Sequence, residues 1–271
     1  MPELPEVETI RRDLAKRVAG RSITGFRLLR PEILTGIPPI QDLRWRILGK
    51  LIIRVERRGK YLILRFMGGD ALIIHLMMTG QLLLHPKGTE PVLHTTAIIE
   101  LDSKWELHFV DVRRFGRIWV VDSPDAVVGK LGLEPLAATF TAEELGRRLA
   151  GRAAPIKPLL LDQGVVAGVG NIYADEALFQ AGIRPERPAG SLSPSEVCRL
   201  RDAVKDVLEA AVEHRGTSFT NYRDSAGEPG ENQHHLQVFR RTGQPCPRCG
   251  TPIQRIAFRG RGTHFCPACQ R

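Results

Sequence analysis

The chain has 271 residues, 42% of them hydrophobic, which is enough for two modest hydrophobic cores and is typical of a globular protein. Lys and Arg total 39 against 30 acidic residues, and the net charge of +9 favours a polyanionic partner, with a basic protein from a generally basic proteome as the alternative. No apolar run reaches 18 residues, and acidic residues occupy the N-terminus where a signal peptide would be basic and apolar, so we expect a cytoplasmic protein without a membrane partner.

An amphipathic helix followed by many short strands is the first predicted region. Over residues 5–18, apolar residues recur at helical spacing: Val7, Ile10, Leu14 and Val18. From about residue 22 to 122, short β-branched runs alternate with Gly, Pro and Asp. Several strands at this spacing predict a sandwich or a barrel.

The next region is helical. Thr141 and Ser193 each precede a Glu by three residues, which is the pattern of a capping box at a helix start. Residues 156–182 predict two helices joined by a glycine-punctuated connection, and Asn171 is the expected N-cap of the second helix. Exposed amides at that helix start would bind an anion, whereas a simple turn between helices is the alternative.

Residues 217–237 form a polar stretch that contains glycine and is rich in His, Asn and Gln. The composition predicts a long loop. Long loops in compact domains are often functional lids.

The C-terminal region has the cysteine spacing of a zinc finger. Two CxxC pairs, separated by sixteen residues, predict tetrahedral coordination of one zinc ion by Cys246, Cys249, Cys266 and Cys269. Four thiolates leave no coordination position for water, so the metal is expected to be structural. A redox disulfide is the alternative, and it is disfavoured in the cytosol. Side chains between the pairs form a candidate phosphate-binding cluster, or else a solvated basic surface: Arg255, Arg259, Arg261 and His264.

Pro2 is a candidate nucleophile because removal of Met1 would give it a free secondary amine. Model α-amino groups titrate at about 7.7–8.0, so a sizeable fraction is unprotonated at neutral pH. Attack on a sugar C1′ would give an iminium, and Glu3 and Glu6 are available for proton transfer. The alternative is that Pro2 and Pro5 only start a helix.

Six segments distributed along the chain form a recognisable set of motifs: MPELPEVET, RRGKYL, HLMMTG, DVRRFGR, DQGVVAGVGNIYADEALFQAGI and GRGTHFCPACQ. In these motifs the chain resembles the bacterial formamidopyrimidine-DNA glycosylases over nearly its whole length. The resemblance implies an α+β multidomain fold, with an N-terminal β-sandwich flanked by helices at residues 1–130. A helix-two-turns-helix domain with a lesion-capping loop is expected at 131–237, and a zinc finger at 238–271.

The resemblance also implies an activity: excision of 8-oxoguanine and formamidopyrimidines from double-stranded DNA, followed by strand cleavage through β,δ-elimination. We expect a monomer with one structural zinc. In the implied catalytic set, Pro2 forms the Schiff base, Glu3 is the acid/base, and Lys60 and Arg261 contact the lesion or its phosphates. The implied DNA contacts include a wedge that fills the space left by the flipped lesion. These contacts are His75, Met78, Arg113, Phe115, Lys157, Asn171 and Arg261.

The chain departs from the family pattern in two places. Phe239 and Arg240 stand where a tyrosine and a glycine are common, and loop 217–237 differs in detail. Two other functions are the alternatives. An endonuclease VIII-like glycosylase for oxidised pyrimidines typically starts PEGPE rather than PELPE. A non-catalytic, zinc-dependent damaged-DNA-binding protein would have lost Pro2 or Glu3, and both residues are present.

Overall fold

The computed structural model describes residues 1–35 and 45–271, which pack as two compact units. Unit 1 comprises Met1–Lys130 and His214–Glu231, and unit 2 comprises Leu131–Glu213 and Asn232–Arg271. Residues 214–231 were predicted to belong with the helical region, but they pack in unit 1. The finger packs in one unit with the helices. In the described part of the chain, none of the helices combines the length and apolar character needed to cross a membrane.

The following helices and strands are named within the described residues of unit 1. They are α1 (Leu4–Ala15), β1 (Ile23–Leu28), β2 (Ile52–Arg58), β3 (Tyr61–Phe66), β4 (Ala71–His75), β5 (Gly80–Pro86), β6 (Thr95–Leu101), β7 (Trp105–Asp111), β8 (Arg117–Val121) and α2 (Asp125–Val128). Unit 2 contains α3 (Ala142–Leu149), α4 (Ile156–Leu161), α5 (Asn171–Ala181), α6 (Pro194–Glu213), β9 (Gln254–Phe258) and β10 (Arg261–Phe265).

The strands of unit 1 form two four-stranded antiparallel sheets, in the orders β1-β6-β7-β5 and β2-β3-β4-β8. Both sheets contribute to one apolar core, with Leu64 and Ile74 from one and Ile99 and Phe109 from the other. This arrangement is a β-sandwich, which is one of the two architectures that the strand and turn signals allowed and the one that the resemblance implied.

Helix α1 packs its apolar side against the sandwich core. Val7, Ile10 and Leu14 are buried there. The helix ends at Ala15, three residues before the predicted end, and the following turn still buries Val18 through a hydrogen bond from its amide to the Leu14 carbonyl (2.7 Å). The predicted core residues are therefore correct, although the helix boundary is shifted.

Local signals located the helix starts of unit 2 with one exception. The Glu144 amide donates to the Thr141 hydroxyl (3.1 Å), and the Glu196 carboxylate accepts from the Ser193 amide (2.8 Å), which confirms both predicted caps. The N-cap of α5, however, is Gly170, so the prediction that Asn171 caps this helix was wrong.

Candidate active site and nucleic-acid interface

The N-terminus of α1 places the candidate nucleophile beside two buried carboxylates. Pro2 is buried, and Glu3 is the N-cap residue of the helix. The Glu6 carboxylate accepts one hydrogen bond from the Glu3 amide (2.7 Å) and another from the Thr217 amide (2.8 Å). Glu6 thus fixes the backbone next to Pro2 and joins it to the start of the 217–231 segment. The sequence pointed to Glu6 for proton transfer, but it gave no sign of this structural link.

Lys60 lies in the turn between β2 and β3, His75 ends the neighbouring strand β4, and both side chains are buried. Burial, followed by the positive charge of Lys60, lowers the pKa of His75 to about 4, so the ring is neutral at pH 7. The Met77 amide donates to His75 Nδ1 (3.0 Å), which leaves the proton on Nε2. His75 can therefore offer a neutral N–H donor to a phosphate, without a charge.

The three predicted wedge residues occupy two neighbouring loops of unit 1. Met78 and Phe115 are among the exposed large apolar side chains, at 38% and 41% exposure. The Arg113 guanidinium lies over the Phe115 ring, 4.5 Å from its centroid. Exposed apolar side chains next to an arginine are suited to insertion between stacked bases.

In unit 2, the β9–β10 hairpin carries Arg261 at an exposed position, directly after its turn. The carbonyl of Gly262 accepts from Lys157 Nζ (3.2 Å) and from Asn171 Nδ2 (3.1 Å). A cleft of about 240 Å³ lies beside this hairpin, and its lining includes Lys157, Arg259 and Arg261. Side chains of the helices therefore fix the backbone that presents Arg261.

Lys157 is 1% exposed, and its ammonium forms an ion pair with Asp175 (2.6 Å) and a hydrogen bond to the Thr263 hydroxyl (2.8 Å). Its direct contact with DNA stays a prediction, which this burial disfavours. His264 was predicted to belong to an exposed donor cluster, but it is buried and contacts Asp175 through Nδ1 (3.1 Å) and through its backbone amide (2.9 Å). The reason is that a buried carboxylate needs several donors.

Asp175 and its neighbour Glu176 were not among the residues predicted from the sequence. Glu176 accepts backbone hydrogen bonds from Gln237, Val238 and Phe239 and so fixes the chain leading to the finger. The sequence does carry a signal for them, because both carboxylates lie in the middle of α5, in a buried stretch whose other residues are Tyr, Ala, Leu and Phe. Buried carboxylates require hydrogen-bond or ion-pair partners, so the sequence of this helix predicts that donors from other segments pack against it.

The family departures at 239 and 240 have structural consequences. The Phe239 ring packs edge-on against His264, with the ring centroids 4.9 Å apart. Arg240 has φ of 62°, a left-handed conformation in which a glycine would be unstrained. Arg240 therefore adopts the backbone conformation that would suit the glycine common at this position in the family.

The four cysteines of the two CxxC pairs form a metal site. Their sulfur atoms all lie within 4.8 Å of one another, with Cys246–Cys269 at 3.9 Å and Cys249–Cys266 at 3.6 Å. Tetrahedral coordination at about 2.3 Å from zinc requires sulfur separations of about 3.8 Å, so the cluster fits. Backbone amides point at two of the sulfurs, as expected for thiolate ligands. The site holds one structural zinc ion, as the spacing predicted.

Family comparisons match the three regions separately. Residues 1–118 match the N-terminal domain of formamidopyrimidine-DNA glycosylases, 131–223 match their H2TH domain, and 243–271 match a zinc finger found in FPG and IleRS.

Curated relatives and solved structures agree over the full length. Formamidopyrimidine-DNA glycosylases of Herpetosiphon aurantiacus and Pelotomaculum thermopropionicum are 48% and 46% identical to the chain. These matches cover 100% of this chain and 99% or more of each relative. The MutM (FPG) protein of Thermus thermophilus superimposes with a TM-score of 0.89 at 43% identity, covering 99% of this chain and 98% of that one. A Lactococcus lactis FPG variant in complex with Fapy-dG-containing DNA gives a TM-score of 0.92 at 36% identity, with full coverage of both chains.

Proposed function

This chain belongs to the formamidopyrimidine-DNA glycosylase family, and we propose that Pro2 carries the chemistry which that membership implies. The protein is a DNA glycosylase for oxidised purines and an AP lyase that cuts the strand at the abasic site. The assignment of Pro2 depends chiefly on one observation: the N-terminus of α1 holds Pro2, Glu3 and Glu6 together in a buried cluster.

Removal of Met1 converts the Pro2 nitrogen from an amide into a nucleophilic secondary amine. The nitrogen lone pair attacks C1′ of the damaged nucleotide, and the base departs with the electron pair of its bond to C1′ and takes up a proton. The attached nitrogen loses its proton, and its lone pair then expels the ring oxygen O4′, which Glu3 protonates, so that the opened sugar is an iminium. The iminium then acidifies the C2′ proton, so the 3′ phosphate and afterwards the 5′ phosphate leave by β,δ-elimination.

Flipping the lesion out of the stack leaves a space that the protein must fill. We assign this role to Met78, Arg113 and Phe115 of unit 1 because they are adjacent and because two of them expose apolar surface. Lys60 and neutral His75 supply donors to the flipped nucleotide.

Unit 2 contributes its own DNA contacts. We assign Arg261 and Asn171 to phosphates, and Lys157 chiefly to supporting the Arg261 hairpin through Gly262 and Thr263. The three-part division at 1–130, 131–237 and 238–271 is kept as a functional proposal, with residues 217–237 capping the flipped base. We also propose that the protein acts as a monomer and works in the cytoplasm, where bacterial DNA lies.

Selectivity for the base opposite the lesion tests the function together with the wedge. Excision of 8-oxoguanine opposite cytosine should exceed excision opposite adenine by roughly five- to 150-fold, because the Arg113 donors match the O2 and N3 acceptors of cytosine but oppose the amino group of adenine. Arg113→Ala should shrink this ratio, whereas Arg114→Ala, the control at the adjacent arginine, should preserve it. Single-turnover excision on both duplexes measures the ratio. Equal wild-type rates, or an unchanged ratio in Arg113→Ala, would remove Arg113 from this role.

DNA affinity should depend steeply on salt because cationic side chains displace counterions from phosphates. Each neutralised phosphate contributes a slope of about −0.9 in a plot of log K against log salt concentration. Four such contacts would weaken binding about 150-fold between 50 and 200 mM salt. Fluorescence anisotropy measures the slope, and Arg261→Gln should reduce it by about 1. A flat response would argue against phosphate-dominated binding, and an unchanged slope in Arg261→Gln would remove that contact.

A further inference from the structure

A buried hydrogen-bond network connects the bases of the two wedge loops. Asp111, at the end of β7, is fully buried, and its Oδ2 accepts from the Gly116 amide (2.7 Å). Its Oδ1 accepts from the Thr79 hydroxyl and from the Arg113 amide (3.2 Å). The Thr79 hydroxyl oxygen in turn accepts from the Arg113 amide (3.1 Å). Three groups from two loops thus converge on one carboxylate.

The residues of this network lie next to the wedge residues in the sequence. Thr79 directly follows Met78, and Asp111 directly precedes the loop at 112–116 that carries Arg113 and Phe115. The two loops meet where β5 and β7 pair, with Gly80 opposite Asp111. The network therefore lies at the base of both loops, where a small displacement would move the wedge side chains together.

The backbone of both loops adopts conformations that these residues do not prefer. Met77 has φ of 52° and Arg114 has φ of 55°, both in the left-handed region. Such conformations persist only where the surrounding structure imposes them. Packing adds a further constraint, because a Cβ at Gly116 would lie 2.3 Å from the Phe109 ring. The surrounding contacts therefore impose the conformation of both loops, which is not the one that their residues prefer.

We propose that Thr79 and Asp111 are positioning residues that lock Met78, Arg113 and Phe115 in one register, so that they enter the duplex as a single unit. This inference rests on the proposed glycosylase function and on the wedge assignment. Neither Thr79 nor Asp111 needs to touch the DNA. Their effect is to remove the entropic cost of ordering two loops at the moment of insertion.

The test compares a substrate that needs the wedge with one that does not. Excision of 8-oxoguanine from duplex DNA requires insertion, whereas borohydride trapping on an abasic site in single-stranded DNA has no paired stack to open. Thr79→Val keeps the side-chain volume but removes the hydroxyl. We expect roughly five- to 150-fold slower single-turnover excision from duplex, a smaller preference for cytosine over adenine, and single-stranded trapping within about twofold of wild type. Thr79→Ser, which restores the hydroxyl, should recover duplex excision and the preference.

A matched control separates positioning from general destabilisation. Thr96 in β6 is also a buried threonine, and its hydroxyl donates to the Phe109 carbonyl (2.8 Å). Thr96→Val should leave both the duplex to single-strand ratio and the cytosine preference unchanged. Asp111→Asn is the second variant, chosen because it keeps the size of the side chain, and it should show the same selective defect even if Thr79→Val fails to fold.

The proposal would be overturned by unchanged ratios in folded Thr79→Val or Asp111→Asn, or by equal losses on both substrates. A defect of the same pattern in Thr96→Val would do so as well. Failure of the wild-type protein to be trapped on either DNA would instead refute the proposed chemistry, so the two failures can be told apart.

Discussion

Borohydride should trap a covalent complex between this protein and DNA that carries 8-oxoguanine opposite cytosine, because reduction of the Pro2 iminium makes the bond to C1′ permanent. Glu3→Gln should slow base excision roughly 10²- to 10⁴-fold, the usual contribution of a positioned general acid or base. Gln keeps the size of the Glu3 side chain, and its amide oxygen can still accept the capping-box hydrogen bond that the Glu3 side chain accepts from the Glu6 backbone amide. The hydrogen bond from the Glu3 backbone amide to the Glu6 carboxylate (2.7 Å) is unaffected by the substitution. The defect should therefore be chemical rather than structural. Denaturing gel electrophoresis of the trapped species measures both effects.

Protein that retains Met1 is the matched control for this experiment. Its Pro2 nitrogen is an amide and has no nucleophilic lone pair, so trapping should be absent even though every side chain is unchanged. Intact mass spectrometry establishes which form each sample contains. Trapping by the Met1-retaining form would place the nucleophile elsewhere, and products ending only in an unsaturated aldehyde would contradict δ-elimination.

The parts of the structure that could be predicted from the sequence are those that depend on residues close together in the sequence. The helix caps at Thr141 and Ser193 were correct because each is satisfied within one helical turn, although both bonds of the capping box form only at Ser193. The CxxC pairs were correct because zinc geometry fixes both the ligand type and the spacing. The strand and turn signals indicated a sandwich or a barrel, and the choice between them, the strand order and the pairing came only from the structure.

The errors concern residues whose role depends on contacts distant in sequence. Asn171 has the chemistry of an N-cap, yet its side-chain amide donates to the Gly262 carbonyl instead. His264 was assigned to the surface, but it is buried and its ring contacts the Asp175 carboxylate. Residues 214–231 follow a helix of unit 2 in sequence, but Thr217 bonds to Glu6 of α1. In each case the acceptor lies far away in the sequence, so local patterns do not reveal it.

Substituting Cys249→Ser should remove the zinc ion and abolish specific DNA binding while the sandwich of unit 1 stays folded. Structural zinc in finger peptides supplies roughly 10–16 kcal/mol of apparent binding free energy at pH 7, far more than a hairpin as short as β9–β10 provides alone. Without the metal, the cluster of Cys246, Cys266, Ile253, Val238 and Phe179 should loosen. The turn that presents Arg261 would then no longer be held against α4 and α5.

The remaining cysteine provides the control for this substitution. Cys198 is exposed on α6 and lies outside the metal cluster, so Cys198→Ser should retain one zinc per chain and wild-type affinity. Elemental analysis measures the metal, fluorescence anisotropy measures DNA binding, and near-ultraviolet circular dichroism reports on the packing of Trp105 and Trp119 in unit 1. An unchanged zinc content in Cys249→Ser would show that this thiolate is not a ligand. The contacts of Lys157 and Asn171 indicate that the finger stabilises the DNA-binding hairpin alone. Loss of the tryptophan signal would show instead that the finger stabilises the whole chain.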